Sequence, residues 1–150
     1  MNKLVALMLS GFLMVTASAC TTAKTTSDAP NSTDQNGQVP TAGETQTAQD
    51  DAQSSVRQQQ LDSDIRAREQ RNNITGGDAD RADGDLESEV RSKLEANIPN
   101  GQLAVDAEDG VVTVSGTVQT QDQLSKIEPL AREIKGVSSV AVQATVAPAQ

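Results

Sequence analysis

The carboxy-terminal part of this 150-residue chain predicts an α+β fold. The expected form is a small two-layer sandwich in the order helix-strand-strand-helix-strand, with two helices on one face of a three-stranded sheet. Three observations carry that expectation. Leu86, Val90, Leu94 and Ile98 recur every four residues and make one apolar helical stripe. Residues 105–118 read as two strands of β-branched and polar alternation joined at Asp109-Gly110, a pair suited to positive φ. Thr120 and Gln123 then match a capping box, opening a second periodic stretch that ends before an alternating run at 137–146.

The leader comes first. Lys3 gives a positive n-region, residues 4–15 are almost wholly apolar, and Ala17, Ser18 and Ala19 supply small residues at a cleavage site. A membrane-spanning helix needs about 20 apolar residues, so this segment reads as an export signal and not a retained span. Cys20, the only cysteine, follows at once. The arrangement resembles the lipobox of bacterial lipoproteins, with Ala17 where Leu is usual. That resemblance implies acylation of Cys20, attachment to a membrane and, from Thr21 in place of an acidic residue, sorting to the outer membrane. The other reading of the same residues is an exported soluble protein with a free thiol, a liability in an oxidising compartment.

Residues 20–49 are rich in Thr, Gln, Asn, Ser, Pro and Gly and poor in bulky apolar side chains. They are expected to form a disordered polar tether, because they cannot bury enough surface to offset ordering entropy. Such a tether would reach roughly 30 Å. Beside a bacterial-type leader, the glycosylation-like triplets at Asn31 and Asn73 are read as chance.

Residues 50–84 are expected to form a linker with a marginal helix and an acidic hinge. Ala52, Val56, Leu61 and Ile65 make only a thin stripe, and Asp62–Arg66 and Asp64–Arg68 are opposite charges at i,i+4. A fraying solvent helix is favoured over a partner-binding one. Asp78, Asp80, Asp83 and Asp85 invite calcium, but no Gly stands sixth and no Glu twelfth from Asp78, so a solvated hinge is preferred.

In the folded part, residues 85–146, Asp83 or Asp85 is the expected cap of the first helix, which Pro99-Asn100-Gly101 ends. Strands follow at 102–107 and 111–118, with Val112, Val114, Gly116 and Val118 facing inward. Gly116 inside a strand implies close approach by a helix backbone, or a bulge. The second helix carries Leu124, Ile127, Leu130, Ala131 and Ile134 on one face; Pro129 should kink or restart it, and Gly136 suits its end. Val140, Val142, Ala144 and Val146 should alternate inward in the third strand, leaving 147–150 as a tail.

The hairpin Asp109-Gly110-Val111-Val112-x-Val114-x-Gly116-x-Val118, the helix spacing Leu86-x-x-x-Val90-x-x-x-Leu94 and the entry Gly136-Val137-x-x-Val140 together resemble the BON domain. The likeness covers residues 85–146, with Pro129 departing from the usual uninterrupted second helix. It implies an exported protein of the bacterial cell envelope, on the periplasmic side of the outer membrane if lipidated. It also implies links to phospholipid binding, membrane integrity and osmotic stress. Many members carry two copies; this chain has room for one.

Composition narrows the function classes. There is no His, Trp or Tyr, and 12 basic residues against 21 acidic ones give a net charge of −9. That balance argues against nucleic acid as a partner. Without His, a second Cys, a nucleophile elbow or a phosphate-binding loop, no catalytic residue, metal or cofactor is expected. Residues 85–150 hold ten acidic and five basic side chains, a balance unfavourable to generic anionic-lipid attraction. Lys126, Arg132 and Lys135 could still form a local basic patch on the second helix, as candidate contacts for phospholipid headgroups or an envelope protein. The bland reading of the three is a solvated face balancing Glu128 and Glu133.

Overall fold

Burial of the Leu86, Val90, Leu94 and Ile98 stripe organises the molecule: all four side chains are inaccessible to solvent. A computed structural model describes residues 22–75 and 82–150; Cys20, Asp78 and Asp80 lie outside these. The elements run β1 (Ala23–Lys24), α1 (Ala42–Gln53), α2 (Ser55–Thr75), α3 (Asp83–Asn97), β2 (Gln102–Glu108), β3 (Val111–Val118), α4 (Gln121–Arg132), β4 (Ser139–Val142) and β5 (Thr145–Val146).

The sheet is mixed, ordered β1-β2-β3-β4, with β5 also on β3. β1 and β3 flank β2 antiparallel, whereas β4 and β5 run parallel to β3. Parallel pairing follows from the α4 crossover, which returns the chain to the end where β3 began. The α+β expectation holds: α3 and α4 share one face of the sheet. Their side chains meet Leu103, Val105, Val112, Val114 and Val118 in a single aliphatic core with Ile127, Ala131 and Ile134.

The sheet is larger than three strands for two reasons. The third strand is broken at Gln143–Ala144 into β4 and β5, although both keep one register on β3. Val142 and Val146 stay partly open, each 36% exposed, because this edge runs past the cover of α4. The other addition is β1, which corrects the expected disorder of residues 20–49 for the part described. Thr25 explains how so polar a stretch is held. Its amide donates to the Leu103 carbonyl at 2.8 Å, its hydroxyl donates to the Gly101 carbonyl at 2.9 Å, and the Leu103 amide donates to that hydroxyl at 2.8 Å. A segment that cannot build a core can still be ordered by an existing sheet edge with unpaired backbone groups. Further along, Gly37 lies against Gly116 and Thr117, so this segment also covers the second sheet face, where Gln102, Ser115 and Thr117 are buried. α1 then opens on a capping box, Thr41 with Glu44.

Residues 55–75 correct a second expectation. α2 is a 21-residue helix packed on α3, not a fraying solvent helix. Of the thin stripe, Leu61 is fully buried and Ala52 nearly so, whereas Val56 is 76% exposed. Arg68 and Asp64 reach across to α3 rather than to one another. Two further details differ. α3 begins at Asp83 with Ala82 in the cap position and no side-chain cap bond, so Asp83 and Asp85 sit in its first turn, where carboxylates favour the positive end of the helix dipole. α4 carries Pro129 inside and stops at Arg132, before Ile134 and Lys135.

Candidate functional site

The two sequence motifs that carry the family likeness meet at one end of the sheet. Asp109 and Gly110 both take positive φ, 50° and 79°, as a two-residue turn between paired Glu108 and Val111 requires. The Gly110 carbonyl accepts the Ser138 amide at 2.8 Å and the Ser138 hydroxyl at 2.9 Å. A Cβ on Gly110 would lie 2.9 Å from the Gly136 carbonyl oxygen. The Asp-Gly turn and the Gly-Val-Ser-Ser entry to β4 are therefore two halves of one junction, which only Gly at both places lets close.

Chain direction brings other groups to the same end. α3 runs antiparallel to β2, so its first turns lie near the turn, and the Ala107 amide donates to the Glu87 carboxylate. Partial burial, then repulsion from Asp106 and Asp83, pushes the Glu87 carboxyl above its ordinary value despite that bond. A carboxyl raised in the folded state favours folding while protonated, so its contribution falls as pH rises through and just above the usual glutamate range. Glu87→Gln should therefore stabilise the protein at neutral pH by about 0.5 kcal/mol, discounted for solvent screening. The gain should vanish below the ordinary glutamate value; chemical denaturation at both pH values checks this. Asp106, Glu108 and Asp109 line a shallow open hollow beside the turn.

Arg132 and Lys135 lie at this end too, because α4 runs back toward it and Lys135 adjoins Gly136. Lys126, Arg132 and Lys135, expected on one helix, do not all lie on it. Lys135 falls beyond the helix end, and Lys126, six residues before Arg132, is about 9 Å back along the axis and roughly a third of a turn around. Arg132 is half exposed and bonds Glu128 at 2.8 Å, while Glu133 bonds Lys93 at 2.6 Å.

A second charged region joins α2 to α3, and it had little sequence signal. Glu95, only 3% exposed, accepts Arg57 Nε at 2.5 Å and Arg57 Nη2 at 2.9 Å, and also Arg91 Nη1 at 2.8 Å. Arg91–Glu95 is an i,i+4 spacing visible in the sequence; Arg57 stands 38 positions away. The two guanidiniums respond oppositely. The Glu95 hydrogen bond raises Arg57, whereas burial lowers Arg91 more than Glu95 restores it. Asp85 accepts Arg68 at 2.6 Å and Arg71 at 3.3 Å, so one carboxylate of the acidic hinge serves the α2–α3 contact. Among the described residues no group of three or more acidic or Cys side chains is disposed to hold a metal ion. A groove of about 540 Å³ between residues 25–28, α1 and the end of α3 is lined by Asp28, Glu44 and Asp51. Glu44 there is held below its usual range by the Thr41 backbone amide first and its hydroxyl second. No described helix is long and apolar enough to cross a membrane.

Comparison with known proteins agrees with the hairpin end. The family description "BON domain" matches residues 82–148. "Osmotically-inducible protein Y" of Escherichia coli (strain K12) is 42% identical over 55 residues. That alignment takes in 35% of this chain and only 27% of the relative, so the chain spans about a quarter of that protein's length. With both motifs present, in order and locked together by Gly110, Gly136 and Ser138, residues 82–148 of this chain are a BON domain.

Proposed function

We propose that this is an exported, non-catalytic envelope protein, anchored through acylated Cys20 on the periplasmic side of the outer membrane, whose single BON domain meets phospholipid headgroups and supports membrane integrity under stress. The name of the relative, an osmotically inducible protein, supports the stress part of this reading. One observation carries the rest. β1 pairs with β2 so that Ala23 stands opposite Val105 and Lys24 opposite Ala104. Going back from Ala23, the chain therefore heads toward the hairpin-turn end, the end that also holds Arg132 and Lys135. Cys20 is two residues before Thr22, a span of at most about 7 Å. An acyl chain there would hold the hairpin end against the headgroups, in place of the roughly 30 Å reach of a free tether. Arg132 and Lys135 would then be the cationic contacts, with Lys126 too far back to share in them. The acidic turn at the same end disfavours strongly anionic lipid.

Cys20→Ala should move the protein from the membrane fraction to the soluble one; continued retention would mean that acylation is not the anchor. With the anchor intact in lipid vesicles, a fluorophore at position 109 should be quenched by headgroup-labelled lipid and one at position 119 should not. Equal, weak quenching at both would restore the long tether. For direct contact, the Cys20→Ser chain without its leader is floated with neutral and with weakly anionic vesicles. Binding that is lost in Arg132→Glu/Lys135→Glu supports headgroup recognition. Absence of binding to either vesicle would sink it and leave an envelope protein as the partner of the domain.

A further inference from the structure

The sheet has two edges, and the chain treats them differently. The β2 edge is covered at Ala104 and Val105 by the chain's own β1. Among the described residues the opposite edge, β4 and β5, ends the strand order. Its peptide groups can be assigned from two bonds: the Gln143 amide donates to the Val114 carbonyl and the Ala147 amide to the Val118 carbonyl, both at 2.8 Å. In a parallel ladder of this register, Val142 and Val146 then turn their own N–H and C=O groups away from β3, toward the open side.

Such an edge is usually guarded by a charge, a proline or a bulge. Here residues 136–150 carry no charged side chain at all, and Pro148 comes only after β5. The side chains along it are small or β-branched, and Ala141, Gln143 and Thr145 are exposed with Val142 and Val146. The break between β4 and β5 shortens the edge without protecting either piece.

We propose that the β4–β5 edge is a self-association surface, along which two copies of this chain pair antiparallel about a two-fold axis near Val142 and join their sheets into one. Charge selects a second copy as the occupant. The chain carries −9, so most other contacts between copies bring like charges together, whereas the strand residues of this seam carry none. An antiparallel strand pair is also self-complementary, as a closed two-fold interface requires. The contact is short, so the dimer is weak in solution and gains from confinement of both copies to one surface.

The test uses the exported chain carrying Cys20→Ser, which removes both the lipid and any disulfide-linked dimer. Sedimentation equilibrium from micromolar to near-millimolar concentration should show a reversible monomer–dimer equilibrium. Val142→Pro removes only an outward-facing donor on each copy, two interchain bonds in all, and should weaken association by roughly tenfold or more. Val142→Lys, which adds the missing guard, should do the same and carries the test if the proline variant melts early. Amide exchange at Val142 should slow with rising concentration in the parent chain. A chain that stays monomeric throughout, or a dimer that neither substitution weakens, overturns the proposal.

Discussion

Replacing Gly116 with alanine is expected to cost at least about 4 kcal/mol and to leave the BON domain largely unfolded at 37 °C. Two independent causes add. Gly116 has φ of 118°, a conformation that L side chains rarely adopt. A Cβ there would also overlap the Gln102 carbonyl oxygen and lie 3.2 Å from Leu103 Cα. Those are backbone atoms of the paired strand, so they cannot swing aside as a side chain could. The core has no aromatic side chain with which to absorb such a loss. Thermal and urea unfolding followed by circular dichroism give the measurement; a melting point lowered by only a few degrees would contradict the strain argument. The structure also corrects the reason for this glycine. β2 and β3 pair from Gln102–Thr117 to Glu108–Val111 without a bulge, and the close neighbour is a strand, not a helix.

Glu95→Ala is expected to destabilise the protein by about 3 kcal/mol, the lower end of the range for breaking a buried ion pair. Glu95 is the shared acceptor of Arg57 and Arg91, and removing it leaves Arg91, 16% exposed, with the neighbouring Ser92 hydroxyl at 3.0 Å and Asp64 at 3.9 Å as its remaining partners. Arg57 is a quarter exposed and has Asp51 at 3.9 Å, so it can turn to water, which limits the loss. The damage should be local first. α2 contributes one fully buried large side chain, Leu61, so with Arg57 released and only the pairs at Asp85 and Asp64 left, it should come away from α3 before the sheet melts. Hydrogen exchange across residues 55–75 should rise sharply while residues 102–118 stay protected. Unchanged exchange in α2 would show that Leu61 and its neighbours hold the helix unaided. Glu95 and its partners also explain why α2 was unreadable as a packed element. Apolar periodicity detects burial of hydrocarbon, and this interface is made mainly of charge.

What the sequence determined by itself was local. The α3 stripe, the turn at Asp109-Gly110, the β3 span and the Thr120–Gln123 cap rest on neighbours within a few positions and appear as read, while β2 runs one residue further, to Glu108. The same short-range signals spelled out the BON motifs. Tertiary structure alone decided the rest. Whether residues 22–49 order depends on Gly101 and Leu103, 76 and 78 positions away from Thr25. The stop of α4 at Arg132 goes with the approach of Gly136 to Gly110, and the strain at Gly116 depends on Gln102. Lys126 and Lys135 share a helical pattern in sequence and part company once α4 ends between them. A polar or glycine-bearing segment has no stripe of its own to announce its fate; its free energy is settled by backbone groups and charges that only the folded chain brings near.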